Sequence, residues 1–206
     1  MNDATDTAPL ELKEACIRAA REVIAEQGIE ALSLRDVARR LGVSHQAPYK
    51  HYPSRDHLLA EVMQRCYASF AAHLDARPLT GKAEADLGSL GWAYLQHAQQ
   101  HPLEYRLMFG TPWPEAADHP ALVQAALHAF NRLREALARL RGPGNHATQI
   151  DQDALFIWAS LHGLASAMHS TLMDKLQLAP GVEAGAPAHL MKRLSDALQA
   201  DTPGRH

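Results

Sequence analysis

The chain is poor in cysteine, in aromatic side chains and in long apolar runs. Only Cys16 and Cys66 occur among its 206 residues, each inside a helical apolar stripe. Two such thiols with no local partner argue against a disulfide framework and read as small core residues rather than a redox pair. The longest apolar stretches fall far short of the roughly 18 residues that span a bilayer. The opening MNDATDTAPLELKEA lacks a basic then apolar signal pattern, so the protein is expected to stay in the cytoplasm with no membrane partner. Strand signals are missing as well, with neither sustained period-2 alternation nor an Asn-Gly or Asp-Gly hairpin. There is no G-x-S-x-G, P-loop, G-x-G-x-x-G or H-E-x-x-H, so no catalytic residue and no cofactor is assigned and the chain does not read as an enzyme. His97 and His101 stand at the i, i+4 spacing of helical metal ligands. With thirteen histidines such a pair arises readily by chance, and no cysteine or carboxylate at matching spacing joins it, so no metal site is assigned. Scattered His and Asp/Glu residues could still assemble in space, so a helical enzyme or metal-binding protein stands as the alternative reading.

What is present is a punctuated helical pattern. Hydrophobic residues make up 47% and charged residues 21%, the composition of a soluble globular chain. Residues 33–58, SLRDVARRLGVSHQAPYKHYPSRDHL, are the most informative part. Ser33 is a good N-cap, and Asp36 three residues on completes an S-x-x-D capping box. Leu34, Val37, Ala38 and Leu41 recur at helical spacing, and Gly42 stands where a left-handed residue ends a helix. Val43 can fill the angle to a second helix that Ser44 caps. Two helices joined by a short turn containing Gly make the DNA-reading helix-turn-helix. Before it runs a long amphipathic helix with Ala15, Cys16, Ala19, Ala20, Val23 and Ile24 on one face, ended by Gly28. Pro48 disturbs the second helix. If Ser44 is the cap, Pro48 removes one terminal hydrogen bond, which a looser or 3₁₀-like first turn absorbs, and the alternative is that residues 44–52 form no helix.

Charge is unevenly spread. The net −3 divides into −4 over residues 1–32, +3 over residues 33–57 and −2 over the remainder. The positive share (Arg35, Arg39, Arg40, Lys50 and Arg55 against Asp36 and Asp56) sits on the segment expected to face phosphates, the electrostatic footprint of DNA binding. One copy carries few basic contacts, so useful affinity requires two copies on two half-sites.

The run from Ile17 to Leu59 resembles the N-terminal domain of the TetR family of transcriptional regulators. The matching residues are Ser33, Arg35, Val37-Ala38, Leu41-Gly42-Val43-Ser44, Ala47, Tyr49, His51, Tyr52, Arg55 and Leu58. Many members have Gly where Gln46 stands and a large apolar residue where Pro48 stands. The resemblance implies that His45–Tyr52 enters the major groove. His45, Gln46 and Lys50 are then the expected base readers. Ser33, Ser44, Tyr49, His51 and Arg55 are expected to grip phosphate, with Arg35 as a weaker contact and Ala47 in the same DNA-facing set.

Beyond this segment, helices are expected at 55–76, 83–101, 103–109, 121–141, about 149–176 and Ala188 to about Leu198, separated by Pro- and Gly-rich breaks. The expected fold is all-α: a three-helix helix-turn-helix domain at 10–54, then a helical regulatory and dimerisation domain at 55–200 joined through a connecting helix at 55–76. The FIWASLHGLASAMH stretch also resembles a C-terminal subgroup marked W-x-x-x-H-G, here Trp158, His162 and Gly163, accompanied by PLEYRLMF at 102–109. Family resemblance implies a homodimer on a palindromic double-stranded operator, acting as a repressor that a small, largely apolar effector releases. Trp92, Leu95, Tyr105, Met108, Phe109, Phe130, Trp158 and His162 are the expected ligand-binding residues. Trp158 and His162 also fit a plain core pair, with Gly163 allowing close helix approach. The stripe Leu155, Trp158, Ala159, His162, Ala165, Ser166, Met173 and Leu176, together with 188–198, is expected to form the dimer contact.

Overall fold

The computed structural model describes residues 7–144, 146–171 and 173–200. Among the described residues there is no strand, and eight α-helices follow one another: α1 Thr7–Gln27, α2 Leu34–Leu41, α3 Arg55–Asp75, α4 Ala83–Gln100, α5 Pro102–Phe109, α6 Pro120–Arg141, α7 Ala147–Met168 and α8 Val182–Ala200. Short 3₁₀ turns at Ile29–Ala31, Pro48–Lys50, Ala116–Asp118 and Met173–Lys175 punctuate them. The all-α expectation holds. By packing, the chain divides into two compact units: one runs through Ala68 and takes in Arg106–Ala126, and the other joins Ser69–Tyr105 to the chain from Leu127 on.

The first unit is built on the stripe that the sequence spells out. Cys16, Ala19, Ala20, Val23 and Ile24 of α1 are all buried, and Leu34, Val37 and Ala38 of α2 join them. Both cysteines are fully buried, as small core residues should be, and burial pushes the Cys16 thiol up. Removing an Ile or Leu from such a core costs about 2–5 kcal/mol. Gly28 ends α1 at φ 86°, a conformation a Cβ disfavours. Tyr52 is buried, and its hydroxyl donates to the Lys13 carbonyl at 3.5 Å, tying the end of the 45–52 segment to α1.

The second unit packs α4 against α7 and α8, and α7 against α8. Gly91 makes room for the Met191 side chain: a Cβ there would stand 2.6 Å from its terminal carbon, so a larger residue would have to push that flexible end aside.

Three boundaries differ from the sequence reading. The helix expected over 149–176 stops at Met168, so Met173 and Leu176 are not on it. Its last turn closes through Ser170 N–H to the Ala167 carbonyl, and Leu176 and Leu178 beyond are exposed, so no buried face rewards continuation. The last helix starts at Val182 rather than Ala188 and carries Pro187 inside it. Proline in a helix interior costs about 3 kcal/mol, much of it for a stranded carbonyl. Here that carbonyl belongs to Glu183 in an exposed turn where water can take it, while Leu194 and Leu198 are buried further along. The third difference concerns residues 45–52.

Candidate nucleic-acid interface and ligand site

The interface begins at a helix cap. Ser33 is extended (φ −146°, ψ 153°), its hydroxyl oxygen accepts from Asp36 N–H at 3.1 Å, and its proton goes to the Asp36 carboxylate at 2.5 Å. This is the expected capping box. At the far end Gly42 is left-handed (φ 66°), with Val43 N–H on the Ala38 carbonyl and Gly42 N–H on that of Arg39, a Schellman closure. α2 is therefore fixed at both ends.

The segment after it is not the α-helix expected over His45–Tyr52. Residues 45–47 form a turn and Pro48–Lys50 a single 3₁₀ turn. Pro48 has no N–H to send back to Ser44, and its ring would crowd that carbonyl, so the chain takes tighter bonds instead. Ala47 N–H reaches the Ser44 carbonyl at 3.0 Å, and the Pro48 carbonyl accepts from His51 at 3.0 Å and Tyr52 at 2.9 Å. Ser44 supplies a backbone carbonyl and not the side-chain cap expected of it. Pro48 and Tyr52 are buried while His45, Gln46, Tyr49 and Lys50 are exposed, with Ala47 and His51 half-buried. Anchors and outward residues thus alternate along one short rigid segment.

The arginines divide sharply. Arg40 pairs with both Glu22 and Glu26, which ties α2 to α1 and holds the guanidinium's proton tighter still. Arg39 pairs with Asp36 on its own helix. Arg55 donates through Nε to the Leu32 carbonyl (3.1 Å) and through a terminal nitrogen to that of Ile29 (2.9 Å), closing the 3₁₀ turn that leads into α2. Arg35 and Lys50 are exposed. Sequence reasoning missed the internal work of Arg40 and Arg55, because cross-helix partners at separations of 14 to 26 residues leave no periodic trace.

In the second unit a polar cluster gathers around His162. Its Nδ1 lies 2.7 Å from the Tyr105 hydroxyl and 3.3 Å from that of Tyr94, and its Nε2 lies 3.4 Å from Ser166 Oγ. Trp158 stacks on the imidazole (centroids 5.4 Å apart, planes 19° apart), and Tyr105 stacks on His169. Burial lowers the His162 pKa and raises that of Tyr105, so the ring is neutral and Tyr105 keeps its proton. A neutral imidazole accepting from tyrosine on one side and donating to serine on the other satisfies both nitrogens.

The eight expected ligand residues do not form one group. Tyr105, Trp158 and His162 meet in this cluster, Leu95 is buried on α4, and Phe130 is half-buried on α6. Met108 and Phe109 belong to the first unit, where the Tyr67 hydroxyl donates to the Met108 carbonyl at 2.8 Å and the Tyr67 and Phe109 rings meet edge-on. Trp92 lines a separate apolar cavity of about 210 Å³ between α4, α7 and α8. Tyr94, Ser166 and His169 were missed: only tertiary packing brings helices 57 to 68 residues apart around one imidazole.

Residues 17–62 match the model for bacterial regulatory proteins of the tetR family, and residues 87–189 match that for the tetracyclin repressor-like C-terminal domain. The second match alone covers half the chain. The chain belongs to the TetR family. Among its relatives, the HTH-type transcriptional regulator Rv1816 of Mycobacterium tuberculosis is 30% identical over 97 residues, 46% of this chain and 42% of that protein. The chain thus spans about two fifths of the length of that relative. Another protein of the same organism, the uncharacterized HTH-type transcriptional regulator Rv0681, is 26% identical over 80% of this chain and 73% of its own length. Among solved structures, the candidate regulatory protein SCO4313 superposes with a TM-score of 0.76 at 25% identity, covering 93% of this chain and 98% of that one. A Rhodococcus protein of unknown function gives 0.67 at 26% identity over 89% and 95%. The Ser33–Leu58 motif lies within the first matched TetR segment, and Trp158, His162 and Gly163 lie within the second.

Proposed function

We propose that this protein is a homodimeric transcriptional repressor of the cytoplasm, which binds a palindromic double-stranded operator and is released from it by a small, largely apolar effector. The observation that carries the reading is the rigid outward segment. Pro48 and Tyr52 are buried, while Gln46 and Lys50 project into solvent beside a helix capped at both ends. Gln46 can pair bidentately with adenine and Lys50 can bond guanine, with His45 beside them. Ser33, Arg35, Ser44, Tyr49, His51 and Arg55 are assigned to phosphate, and Ala47 to the same face. Arg55 has its two internal carbonyls to hold as well.

The dimer contact is assigned to α7, whose Leu155, Phe156 and Ala159 are exposed, and to α8. Two such faces in two copies would form a contact about a two-fold axis. The C-terminal domain is assigned to the W-x-x-x-H-G subgroup, which the stacking of Trp158 on His162 supports. Effector contact is assigned to the region of Tyr105, Trp158 and His162 in the second unit, with Leu95 and Phe130 as further lining. Gel shift on the DNA upstream of the protein's own gene tests the reading. Specific retardation is expected, and its absence at low salt with abundant protein counts decisively against it.

A further inference from the structure

The cavity between α4, α7 and α8 is separate from the His162 cluster, since none of Tyr94, Tyr105, His162 and Ser166 lines it. Its walls are Leu87, Ile157, Leu161 and Leu194, each at most 8% exposed, with the half-exposed Trp92 along one side. At about 210 Å³ it exceeds the roughly 150 Å³ that suffices to hold a benzene ring in an apolar interior. Two glycines of α4 keep it open. Gly91 lets Met191 lie against the helix backbone, and a Cβ on Gly88 would meet nothing within 4 Å.

Charge decides what the space accepts. Glu84 is the one charged side chain among the residues lining it, on the same face of α4 as Gly88 and Trp92 and one and two turns before them, and it is exposed to solvent. Among the described residues no ion pair engages it, and with no basic residue in the lining an anionic ligand would meet only repulsion there. An indole face together with a carboxylate at the edge of an apolar slot favours an organic cation.

We propose that this cavity is a binding site for a small lipophilic amine, an aromatic ring or short alkyl chain bearing a protonated amino group. The apolar part occupies the Leu87–Leu161–Leu194 slot, and the ammonium lies between Glu84 and the Trp92 ring. The proposal rests on reading the C-terminal domain as ligand-responsive, but its binding test needs no operator. Calorimetric titration of the full chain at neutral pH compares three probes of one shape: 2-phenylethylamine, 2-phenylethanol and 3-phenylpropionate.

The expected order is amine tightest, alcohol weaker and carboxylate unbound. Glu84→Gln should cut amine affinity roughly three- to tenfold and leave the alcohol unchanged, the size of a partly exposed charge contact. Gly88→Leu should abolish binding of all three by filling the slot, and as an Gly replacement within a helix it favours the fold. Equal binding of amine and alcohol, tighter binding of the carboxylate, or amine binding that survives Gly88→Leu would each overturn the proposal. So would failure of every probe to bind, the result expected if a second copy of the chain covers the slot. Amine binding that leaves operator affinity unchanged would support the site and count against the effector reading alone.

Discussion

His97 gives the sharpest test of the second unit's energetics. It is 1% exposed, and neither ring nitrogen has a hydrogen-bond partner. Its Nε2 lies 3.7 Å from a Glu104 carboxylate oxygen, beyond hydrogen-bond reach, and Phe70, His73 and His101 surround the ring at 5.0, 5.5 and 4.6 Å between centroids. Burial, reinforced by His101 and His73 and opposed by Glu104, lowers its pKa to about 4 from the ordinary 6.5. The folded ring is therefore neutral, and below pH 6.5 the unfolded chain binds a proton that the folded chain refuses. Stability from this residue is complete above the unfolded value and is lost as pH falls toward 4. The shift of 2.5 pH units corresponds to about 3 kcal/mol at 1.36 kcal/mol per unit. His97→Leu removes the titrating group and two unsatisfied buried nitrogens at nearly constant volume. Urea unfolding followed by far-ultraviolet circular dichroism, repeated from about pH 7 to about pH 4, measures both proteins. His73 and His162 are also shifted down and act in the same direction in both, so the difference between the curves isolates His97. The variant should gain on the wild type by about 3 kcal/mol across that range. Parallel curves would refute the argument, since they would mean that the ring is hydrated or paired in the fold.

Other outcomes follow from the same geometry. Gln46→Ala should relax preference at one operator position by about 1–3 kcal/mol, read by binding to single-base operator variants, and unchanged preference at every position would end its role as a reader. Arg55→Ala should lower stability by about 1–2 kcal/mol by releasing the Ile29 and Leu32 carbonyls, a loss that a purely phosphate-gripping arginine would not show in urea. Light scattering at micromolar concentration should give the mass of a dimer, and a monomer would contradict the assignment of α7 and α8. A bound effector should weaken operator binding by about 5- to 150-fold, a coupling of about 1–3 kcal/mol, and operator DNA should weaken the effector equally. Independence of the two titrations would remove the repressor mechanism.

Local rules carried the reading where the physics is local. A cap at Ser33, a stop at Gly42 and the α1 stripe from Cys16 to Ile24 each depend on neighbours within a few residues, so spacing alone determined them, and with them the all-helical class and the DNA-reading motif. Pro48 shows the same logic at its limit: the missing N–H was legible, but whether the segment became a loose α-helix, a 3₁₀ turn or neither depended on burial of Pro48 and Tyr52. Arg40 and Arg55 look from spacing like free surface charge, and only the arrival of Glu22, Glu26 and the Ile29 and Leu32 carbonyls from other segments turns them inward. Tertiary structure alone drew Tyr94, Tyr105 and Ser166 around one imidazole and opened a slot over Gly88, because hydrogen bonds and voids between helices are properties of packed surfaces and leave no period in a sequence.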